Sequence, residues 1–493
     1  MSAMRSTHFA GRASERDRSG SGELNSWTRN CVGSSSVETV VKKIASRSPW
    51  IDQLRTDVKP RPLDCDVATD VAVVGAGIAG LATTFFLLRD TDKRVLLIER
   101  DRAGRGATGH NAGQLTTYFE RPLSDLVDEY GFDKAIAAQR EIDNASNLLD
   151  TMVADSGAQA RIDRFTGYLG MFAFNHVMVH LRDSWLRERG GLRVGSFLVS
   201  EQAEFLDEIP SEYAHLYSVV ASGDVRELLG TTDHRYCAVL SGMTGSINGA
   251  LLIEHILEDL QHRFDDRFRF VDHTPVRHVE LNATSATIDT GDHHVEAGHV
   301  VMCTNGFVDH VVDNRVGSDI ATHMHHRISG RVGYMAAFVE NAVRPPVTLS
   351  YIRNAIIGDA TPYVYVTRRP YGPSTEPVTL TCIGGPEAAL GDRATYMPDA
   401  AFPAAIIDEI DNDIVPLVDS TRTSGSAYDY AWHGLMAYTT SKVRLIGYEP
   451  RNPVLMYNLG CNGVGFLPSI YGGHRIARLL RGDVLEPTIF DPA

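Results

Sequence analysis

Residues 70–81 read DVAVVGAGIAGL, and this stretch decides the fold of the chain. Its β-branched residues predict a buried parallel strand, which ends at three glycines with the spacing G-x-G-x-x-G. Residues 81–89 then predict an apolar helix, and residues 94–99 predict a second strand. A strand, a glycine turn, a helix and a second strand in this order are typical of a dinucleotide-binding fold.

Each glycine of the turn has a physical task in such a fold. Gly75 allows the tight turn, Gly77 lets a pyrophosphate approach the backbone, and Gly80 lets the helix pack against the strand. Free N–H groups and the helix dipole favour the phosphates at the helix N-terminus. Glu99 ends the second strand, where an acid can bind the ribose hydroxyls of adenosine. The predicted cofactor contacts of the turn are Gly75, Ala76, Gly77, Ile78, Ala79 and Gly80.

Length, charge and cysteine usage narrow the class of protein. The 493 residues suffice for two or three domains, and a formal net charge of −15 argues against a nucleic-acid partner, because such proteins carry basic patches. The six cysteines form no C-x-x-C pair, which predicts neither a zinc site nor a redox dithiol and fits a reduced, cytoplasmic protein. The N-terminus lacks an apolar leader pattern and glycines interrupt residues 71–88, so we expect no signal peptide and no transmembrane segment.

Elsewhere, periodicity indicates a mixture of helices and an antiparallel sheet. Residues 1–48 are rich in Ser, Arg and Gly and are expected to be disordered. Amphipathic helices are predicted over 124–156 and over 250–264, the latter with Asn248 as its N-cap. Alternating segments between residues 327 and 384 predict an antiparallel sheet. Further strands are predicted at 268–272, 276–281, 285–289, 294–297 and 299–303, and a further helix at 402–418.

Two more stretches complete a resemblance to a known family. Residues 106–114 read GATGHNAGQ, a loop of small residues that suits a backbone wrapped closely around a ligand. Residues 432–434 read WHG, and they are followed by GCNGVG at 460–465 and by a predicted helix. With the turn at 70–81, these motifs resemble the FAD-dependent D-amino-acid oxidase/glycine oxidase superfamily, and most closely its γ-glutamylputrescine-oxidase-like amine and amino-acid oxidoreductases.

The resemblance covers residues 66–482 and implies an α/β fold. A Rossmann-like FAD-binding domain would be interleaved with an α+β substrate domain built on an antiparallel sheet. The implied FAD-binding domain comprises 66–125, 235–310 and 430–482, and the implied substrate domain comprises 126–234 and 311–429. Beyond the first turn, the implied FAD contacts are Glu99, Arg100, Gly106, Ala107, Thr108, His110, Asn111, Ala112, Gly113, Gln114, Val276, Cys303, Thr304, Gly306, Gly434, Gly460, Asn462, Gly463, Val464 and Gly465.

The resemblance also implies a reaction. A small amine or amino acid would lose a hydride from the carbon beside nitrogen to FAD, and the imine formed would hydrolyse. Because the flavin carries the difficult chemistry, little acid–base machinery is expected. The implied catalytic or pocket residues are His110, Tyr334, Arg353, Trp432 and His433, with Tyr363 and Tyr365 as further pocket candidates. Arg353 suits a substrate carboxylate but equally a surface ion pair, and each tyrosine suits packing within a sheet.

His110 has two readings within the family. Common relatives carry an arginine at this position, whereas relatives of the dimethylglycine-dehydrogenase type carry a histidine joined covalently to the flavin after a tryptophan that is missing here. Covalent attachment and simple contact therefore both stay open. Residues 435–442 contain no cysteine, which excludes the cysteine–flavin link of sarcosine-oxidase-like members. The oxygen-activating lysine of those members is missing from 380–385, so the electron acceptor stays open.

Other functions are weighed against this one. A 2-hydroxyacid dehydrogenase of the same superfamily would need a base, for which His433 or His110 is available. A disulfide reductase would need a second G-x-G-x-x-G and a cysteine pair, and the sequence contains neither. A non-catalytic flavin-binding subunit of a larger complex is a further alternative. The histidines at 323, 325 and 326 have no acidic or cysteine companion nearby, so we expect a solvated loop and no metal.

Overall fold

A computed structural model describes residues 46–354, 363–372, 378–391, 395–418 and 427–493. The predicted disordered segment 1–48 lies almost entirely outside these residues. The strands are β1 (Val67–Val74), β2 (Val95–Ile98), β3 (Gln114–Leu115), β4 (Ile162–Met171), β5 (Phe197–Ser200), β6 (Tyr217–Val220), β7 (Ala238–Ile247), β8 (Phe268–Val271), β9 (His278–Leu281), β10 (Ala286–Asp289), β11 (His294–Met302), β12 (Val311–Asn314), β13 (Ile328–Glu340), β14 (Val347–Ile352), β15 (Tyr363–Tyr371), β16 (Val378–Ala389), β17 (Tyr430–Thr439), β18 (Leu445–Tyr448) and β19 (Leu455–Leu459).

The helices lie mostly between these strands along the chain. They are α1 (Ile78–Asp90), α2 (Leu123–Tyr130), α3 (Phe132–Ser156), α4 (Phe174–Arg189), α5 (Ser222–Leu229), α6 (Gly249–Arg263), α7 (Ala321–Arg327), α8 (Ala404–Glu409), α9 (Val415–Val418) and α10 (Phe466–Arg481). A π-helical turn, Ile410–Ile414, joins α8 to α9. Among the described residues, no helix combines the length and the apolar character that crossing a membrane requires.

The first sheet has a parallel centre. Its parallel strands neighbour one another in the order β8-β2-β1-β11-β19, and β18 lies antiparallel beside β19. The strands β9 and β10 form an antiparallel pair beside β11, and β12 runs parallel to β9. Because β1, β2 and β11 run in one direction, their carboxyl ends meet at one edge, where such sheets bind ligands.

The second sheet has the order β17-β13-β16-β15-β14-β4-β7-β5-β6, with β3 beside β7. Its pairs are antiparallel except β14 with β4 and β5 with β6. The predicted antiparallel sheet between residues 327 and 384 corresponds to β13 through β16. The prediction assigned β7 and β17 to the FAD-binding domain, whereas both strands form long antiparallel ladders in this second sheet. The division into two domains stays a prediction.

Two predicted elements have different bounds in the structure. The helix predicted over 124–156 is two helices, because Gly131 takes a φ of 85° that ends α2 before α3 begins. The strands predicted at 294–297 and 299–303 are the single strand β11, whose first half pairs with β10 and whose second half pairs with β19. Gly298 interrupts the apolar pattern of the sequence but not the ladder with β1.

The histidines at 323, 325 and 326 lie on α7, so the predicted loop is wrong there.

Asn248 caps α6 as predicted, because its side-chain oxygen accepts a hydrogen bond from the N–H of Leu251 at 3.1 Å.

Helices α1 and α10 pack together against the parallel sheet. The residues of α1 from Ile78 to Leu88 are all buried, so this helix reads as apolar on every side. At Gly473 of α10, an added Cβ would lie 2.5 Å from the backbone nitrogen of Thr83. The two backbones therefore touch at a residue without a side chain. This contact fixes the start of α10 relative to the glycine turn that starts α1.

Candidate active site

A cavity of about 960 Å³ lies between the carboxyl edge of the parallel sheet and one face of the second sheet. Its size is at the upper end of the range for small-molecule and cofactor sites. One end is lined by the turn after β1 and by residues 98–108, and the other end by residues of β13, β15, β16 and β17. The cavity therefore joins the nucleotide-type turn to the antiparallel sheet.

The glycine turn is packed too closely for side chains. Gly75 has a φ of 102°, and an added Cβ would lie 2.8 Å from the carbonyl oxygen of Cys303. An added Cβ on Gly80 would lie 1.8 Å from the carbonyl oxygen of Gly75. At Gly77 the only close atom is the hydroxyl of Thr108, at 3.3 Å from such a Cβ. The turn is tight behind the first and third glycines and open toward the cavity at the second, as pyrophosphate binding requires.

Glu99 organises the same end of the cavity. One carboxylate oxygen accepts a hydrogen bond from the N–H of Ala76 at 2.7 Å, and the other accepts one from the N–H of Asp101 at 3.0 Å. Burial raises the pKa of Glu99, and the two backbone bonds oppose that shift. Each carboxylate oxygen has a second lone pair that can still accept a bond from a ribose hydroxyl.

The loop at 106–114 is held from behind by residues that precede β1. Ser48 donates its hydroxyl hydrogen to the carbonyl of Gly109 at 2.6 Å, and the Trp50 indole N–H donates to the carbonyl of Asn111 at 2.6 Å. Trp50 is fully buried, and an added Cβ on Gly113 would lie 2.9 Å from its ring. This segment before β1 therefore shapes the loop.

His110 lies in the cavity wall at the middle of this loop. Its Nδ1 lies 3.0 Å from the carbonyl oxygen of Gly106, which can only accept a hydrogen bond, so Nδ1 carries a proton. Burial is the largest cause that lowers the pKa of His110. An added Cβ on Gly434 would lie 2.8 Å from the carbonyl oxygen of His110, so β17 packs directly on the loop.

The loop at 460–465 leads into α10. Gly460, Asn462 and Gly463 all have positive φ angles, of 89°, 46° and 82°. The Asn462 side-chain oxygen accepts a hydrogen bond from the N–H of Thr439 at 2.8 Å, which fastens the loop to the end of β17. Gly463, Val464 and Gly465 line the cavity, and α10 starts at the next residue. The positive end of the dipole of α10 is therefore close to the cavity.

These residues fit a dinucleotide cofactor. The Thr304 hydroxyl oxygen is buried and has no hydrogen-bond partner among the described residues, although Thr304 lines the cavity beside Gly75. A phosphate or ribose oxygen is the kind of partner such a hydroxyl needs. Together with the open approach at Gly77, this polar atom without a partner matches a bound phosphate group.

The family comparison agrees with this geometry. The sequence model of the DAO family, described as FAD dependent oxidoreductase, matches residues 70–479. The chain belongs to the DAO family of FAD-dependent oxidoreductases. The predicted family, fold class, FAD cofactor and enzyme class are thereby confirmed. Its relatives within the DAO family include amine and amino-acid oxidases.

Individual relatives of this DAO-family chain are distant. Gamma-glutamylputrescine oxidoreductase of Escherichia coli K12 is 23% identical over 435 residues, which cover 85% of each protein. A probable oxidoreductase, OrdL of Haemophilus influenzae, is 35% identical over 89 residues, and this match spans only 20% of that protein. The solved glycine oxidase of Geobacillus kaustophilus is 16% identical with a TM-score of 0.61, covering 87% of this chain and 99% of the other. L-proline dehydrogenase of P. horikoshii gives a TM-score of 0.62 at 14% identity, with 87% and 97% covered.

Most of the predicted FAD contacts of this DAO-family member line the cavity. These are Gly75, Gly77, Ile78, Ala79, Glu99, Arg100, Gly106, Ala107, Thr108, His110, Asn111, Ala112, Gln114, Val276, Cys303, Thr304, Gly434, Gly463, Val464 and Gly465. The remaining predicted contacts lie behind that wall, where they pack or fasten the turns; these are Ala76, Gly80, Gly113, Gly306, Gly460 and Asn462.

The predicted substrate residues divide differently. Tyr363 and Tyr365 line the cavity with His110. Arg353 does not: its guanidinium pairs with Glu409 at 2.6 Å and with Asp413 at 3.3 Å, both in the segment from α8 to α9. The structure thus gives Arg353 the surface ion pair of the two readings, because acidic residues of a neighbouring helix satisfy it.

Three more predicted residues lie behind or beside the cavity wall. Trp432 is fully buried and packs edge-on against Trp50 at 6.5 Å between ring centroids. Both ring nitrogens of His433 are in hydrogen-bond contact, Nδ1 with the Tyr396 hydroxyl and Nε2 with the carbonyl of Ala400, each at 2.9 Å. Tyr334 packs against the His433 ring at 6.0 Å between centroids. Along β13 and β17, Tyr334 and His433 face away from the wall that Gly333, Met335 and Gly434 form. Trp432 is on the same face as its cross-strand partner Met335 and packs there without lining the cavity.

Several residues of the cavity wall were not predicted. Glu387 and Tyr438 come from the second sheet, and Tyr118 and Glu120 follow β3. Alternation along β15 identifies Tyr363 and Tyr365 as residues of one face. It gives no indication of which residues of other strands or loops lie beside them. The pairing of β13 with β16 and β17 is what brings these side chains together.

Proposed function

We propose that this chain oxidises the C–N bond of a small amine or amino acid by hydride transfer to bound FAD, after which the imine hydrolyses to a carbonyl compound. The observation that carries the proposal is that one continuous cavity extends from the glycine turn after β1 to the second sheet. There the rings of Tyr363, Tyr365 and Tyr438 form an aromatic wall. The name of the Escherichia coli relative, gamma-glutamylputrescine oxidoreductase, supports an amine substrate.

The residues of one end would hold the cofactor. The open backbone at Gly77 and the start of α1 suit the pyrophosphate, and Glu99 suits the adenosine ribose. The loops at 106–114 and 460–465 suit the isoalloxazine ring, with the start of α10 favouring negative charge on it. When bound, FAD supplies the acceptor for two electrons and a hydride. His110 is a contact residue or the covalent attachment point in this arrangement.

The residues of the other end would position the substrate. The tyrosine rings of β15 and the residues of β13 and β17 form a wall against which a small molecule can be held and water displaced. Trp432, His433 and Tyr334 act as positioning residues, because His433 and Tyr334 support that wall from behind and Trp432 packs beside it against Trp50. Arg353 has no place in this role, since acidic partners already bind its guanidinium.

The second candidate, oxidation of a 2-hydroxyacid, needs a base for the hydroxyl proton. His433 does not suit this task, because both of its ring nitrogens are hydrogen-bonded to protein groups. His110 is then the remaining candidate of the two. Assignment to a flavin-binding subunit would leave the aromatic wall without a purpose. We place the protein in the cytoplasm, a proposal supported by the five free cysteines of the described residues.

The test is anaerobic reduction of the FAD-loaded protein by matched compounds. Amines, amino acids and 2-hydroxyacids of equal chain length are added, and the loss of the visible flavin absorbance is followed. We expect bleaching by compounds with nitrogen on the reacting carbon and none by the hydroxyacids. Acid precipitation separates the readings of His110, because covalent FAD stays in the pellet. Bleaching by hydroxyacids alone would contradict the proposal.

A further inference from the structure

Glu120 stands apart among the acidic residues of the cavity. It follows β3 on a short segment between the 106–114 loop and α2, and its carboxylate lies in the cavity wall. The carboxylate accepts a hydrogen bond from the Tyr363 hydroxyl at 2.6 Å. An added Cβ on Gly463 would lie 2.8 Å from Oε1 of Glu120. The carboxylate therefore lies where the glycine loop before α10 meets the aromatic wall.

The groups around Glu120 are mostly aromatic or acidic. Tyr118, whose hydroxyl lies 3.4 Å from that of Tyr363, is on the same segment. The negative charge of Glu387 on β16 raises the pKa of Glu120, and the charge of Glu120 in turn raises the pKa of Tyr365 on β15 and of Tyr438 on β17. All three neighbours line the cavity. A carboxylate within a ring of tyrosines is a setting that favours a cationic ligand.

The described cations near this wall are paired or lie outside the cavity lining, and the lining arginines come from other segments. Arg331 pairs with Glu387 at 2.6 Å, and neither Arg331 nor Lys442 is among the described residues that line the cavity. Five arginines line the cavity. Arg47 pairs with Asp52, Arg100 stacks on Phe307, and Arg444 donates a hydrogen bond to Asn458. Arg102 and Arg105 belong to the loop after β2. A substrate carboxylate placed beside Glu120 would therefore meet negative charge.

We propose that Glu120 binds the ammonium group of the substrate and removes one proton from it, and that the substrate is an amine without a carboxylate on the carbon that is oxidised. This rests on the proposed function. The ammonium loses one proton to the carboxylate, which becomes a carboxylic acid, and the substrate becomes a neutral amine. Only the neutral amine has a lone pair to form the C=N bond as the hydride departs with its two electrons.

The environment of Glu120 suits a group that exchanges protons near neutral pH. Burial raises the pKa of Glu120 to about 7, the nearby Glu387 raises it too, and the Tyr363 bond and Lys442 oppose the shift. A carboxylate of ordinary pKa would hold the proton far more weakly. A free alkylammonium has a pKa near 10, so the proton transfer is unfavourable by roughly a thousand-fold before the cavity lowers the amine pKa.

The experiment uses two matched pairs of compounds with the FAD-loaded enzyme. Butylamine and norvaline, in both enantiomers, differ by a carboxylate on the reacting carbon. tert-Butylamine and 2-aminoisobutyrate differ by a carboxylate in place of a methyl group on the carbon beside nitrogen. Neither has a hydrogen on that carbon, so each reports binding without turnover. Binding is followed through the change in the flavin spectrum, and oxidation through anaerobic bleaching.

We expect butylamine to reduce the enzyme at least ten-fold faster than either norvaline, and tert-butylamine to bind more tightly than 2-aminoisobutyrate. Glu120→Gln should lower kcat/KM for butylamine by about 100-fold or more. It should also weaken tert-butylamine binding by roughly ten-fold, the loss of one charge-assisted hydrogen bond. The wild-type kcat/KM should rise with pH through about 7, and this limb should be missing in Glu120→Gln.

Two further variants and one control guard against a structural effect. Tyr363→Phe removes a bond to the ionised carboxylate, so the limb should move to higher pH while FAD content is retained. Glu120→Asp should restore part of the activity. Glu188 is on α4 and makes an exposed contact with His215, so Glu188→Gln is the matched control. It should leave kcat/KM, its pH dependence and tert-butylamine binding unchanged.

The outcomes distinguish the two levels of the proposal. Faster reduction by norvaline would overturn the substrate class and leave amine oxidation standing. A pH limb that is unchanged in Glu120→Gln and Tyr363→Phe would overturn the role of Glu120. If no nitrogen compound reduces the flavin, the proposed function itself fails. In that case, equal binding of tert-butylamine by Glu120→Gln and by the wild type would also exclude Glu120 as the ammonium site.

Discussion

Gly473→Ala tests whether the contact between α10 and α1 sets the stability of the cofactor site. The added methyl group would lie 2.5 Å from the backbone nitrogen of Thr83 and 2.6 Å from the backbone carbon of Ala82. Both atoms belong to the backbone of the buried part of α1, so they cannot rotate away as the end of a side chain would. Overpacking of this kind costs about 1–3 kcal/mol.

An opposing effect has to be subtracted. Alanine in place of glycine within a helix is favourable by about 0.8–1.0 kcal/mol. The clash involves backbone on both sides, so we take the upper part of the overpacking range, and the net loss is about 1–2 kcal/mol. Because α10 begins at the loop that carries Gly463 and Gly465, its displacement should also weaken FAD binding.

The assay is denaturant unfolding of the FAD-free and FAD-loaded protein, with FAD affinity measured separately. Gly223→Ala on α5 is the matched control, because an added Cβ there meets no atom within 4 Å and only the helix propensity changes. We expect the control to keep or raise the free energy of unfolding. Equal effects of the two substitutions would refute the argument that the α1–α10 backbone contact is tight.

Three more outcomes are expected. Trp50→Ala should lower the free energy of unfolding by about 3–5 kcal/mol, because it empties the space behind Gly113, and thermal unfolding with limited proteolysis should show the loosened segment. Glu99→Gln should weaken FAD binding by about ten-fold, since it replaces an ionised acceptor of the Ala76 N–H by a neutral one; equilibrium dialysis checks this, and unchanged affinity would rule out a ribose role. Arg353→Gln should leave KM for every substrate unchanged within two-fold in steady-state assays, because the guanidinium lies outside the cavity, whereas a large rise would restore its predicted carboxylate role.

The local parts of the fold could be predicted because their causes are local. The β1–α1–β2 unit follows from β-branched residues, three glycines and an apolar helix in one short stretch, and Asn248 caps α6 by a bond to a residue three positions on. The break at Gly131 was missed because amphipathic periodicity continues across it, while the positive φ of that glycine is a backbone property.

The cavity lining near the glycine turn could be predicted for the same reason, whereas the lining on the second sheet could not. The turn and the loop at 106–114 are contiguous motifs. Glu120, Glu387 and Tyr438 come from three separate segments that only the pairing of β13 with β16 and β17 and the path of the chain after β3 bring to one wall. Gly333 and Met335 line the cavity, whereas Tyr334 between them does not, because adjacent residues of one strand face opposite sides. The sequence does not indicate which of the two faces meets the cavity.

The contact between α1 and α10 also has a consequence for the order of events during synthesis. The glycine turn and the loop that starts α10 are 385 positions apart, from Gly80 to Gly465. At ordinary translation rates, roughly 20 to 80 seconds separate their emergence from the ribosome. During this interval the apolar helix α1 lacks its partner and the cavity lacks one wall. The packing partner of α1 and the wall that the start of α10 contributes to the cavity are therefore complete only after nearly the whole chain has been made.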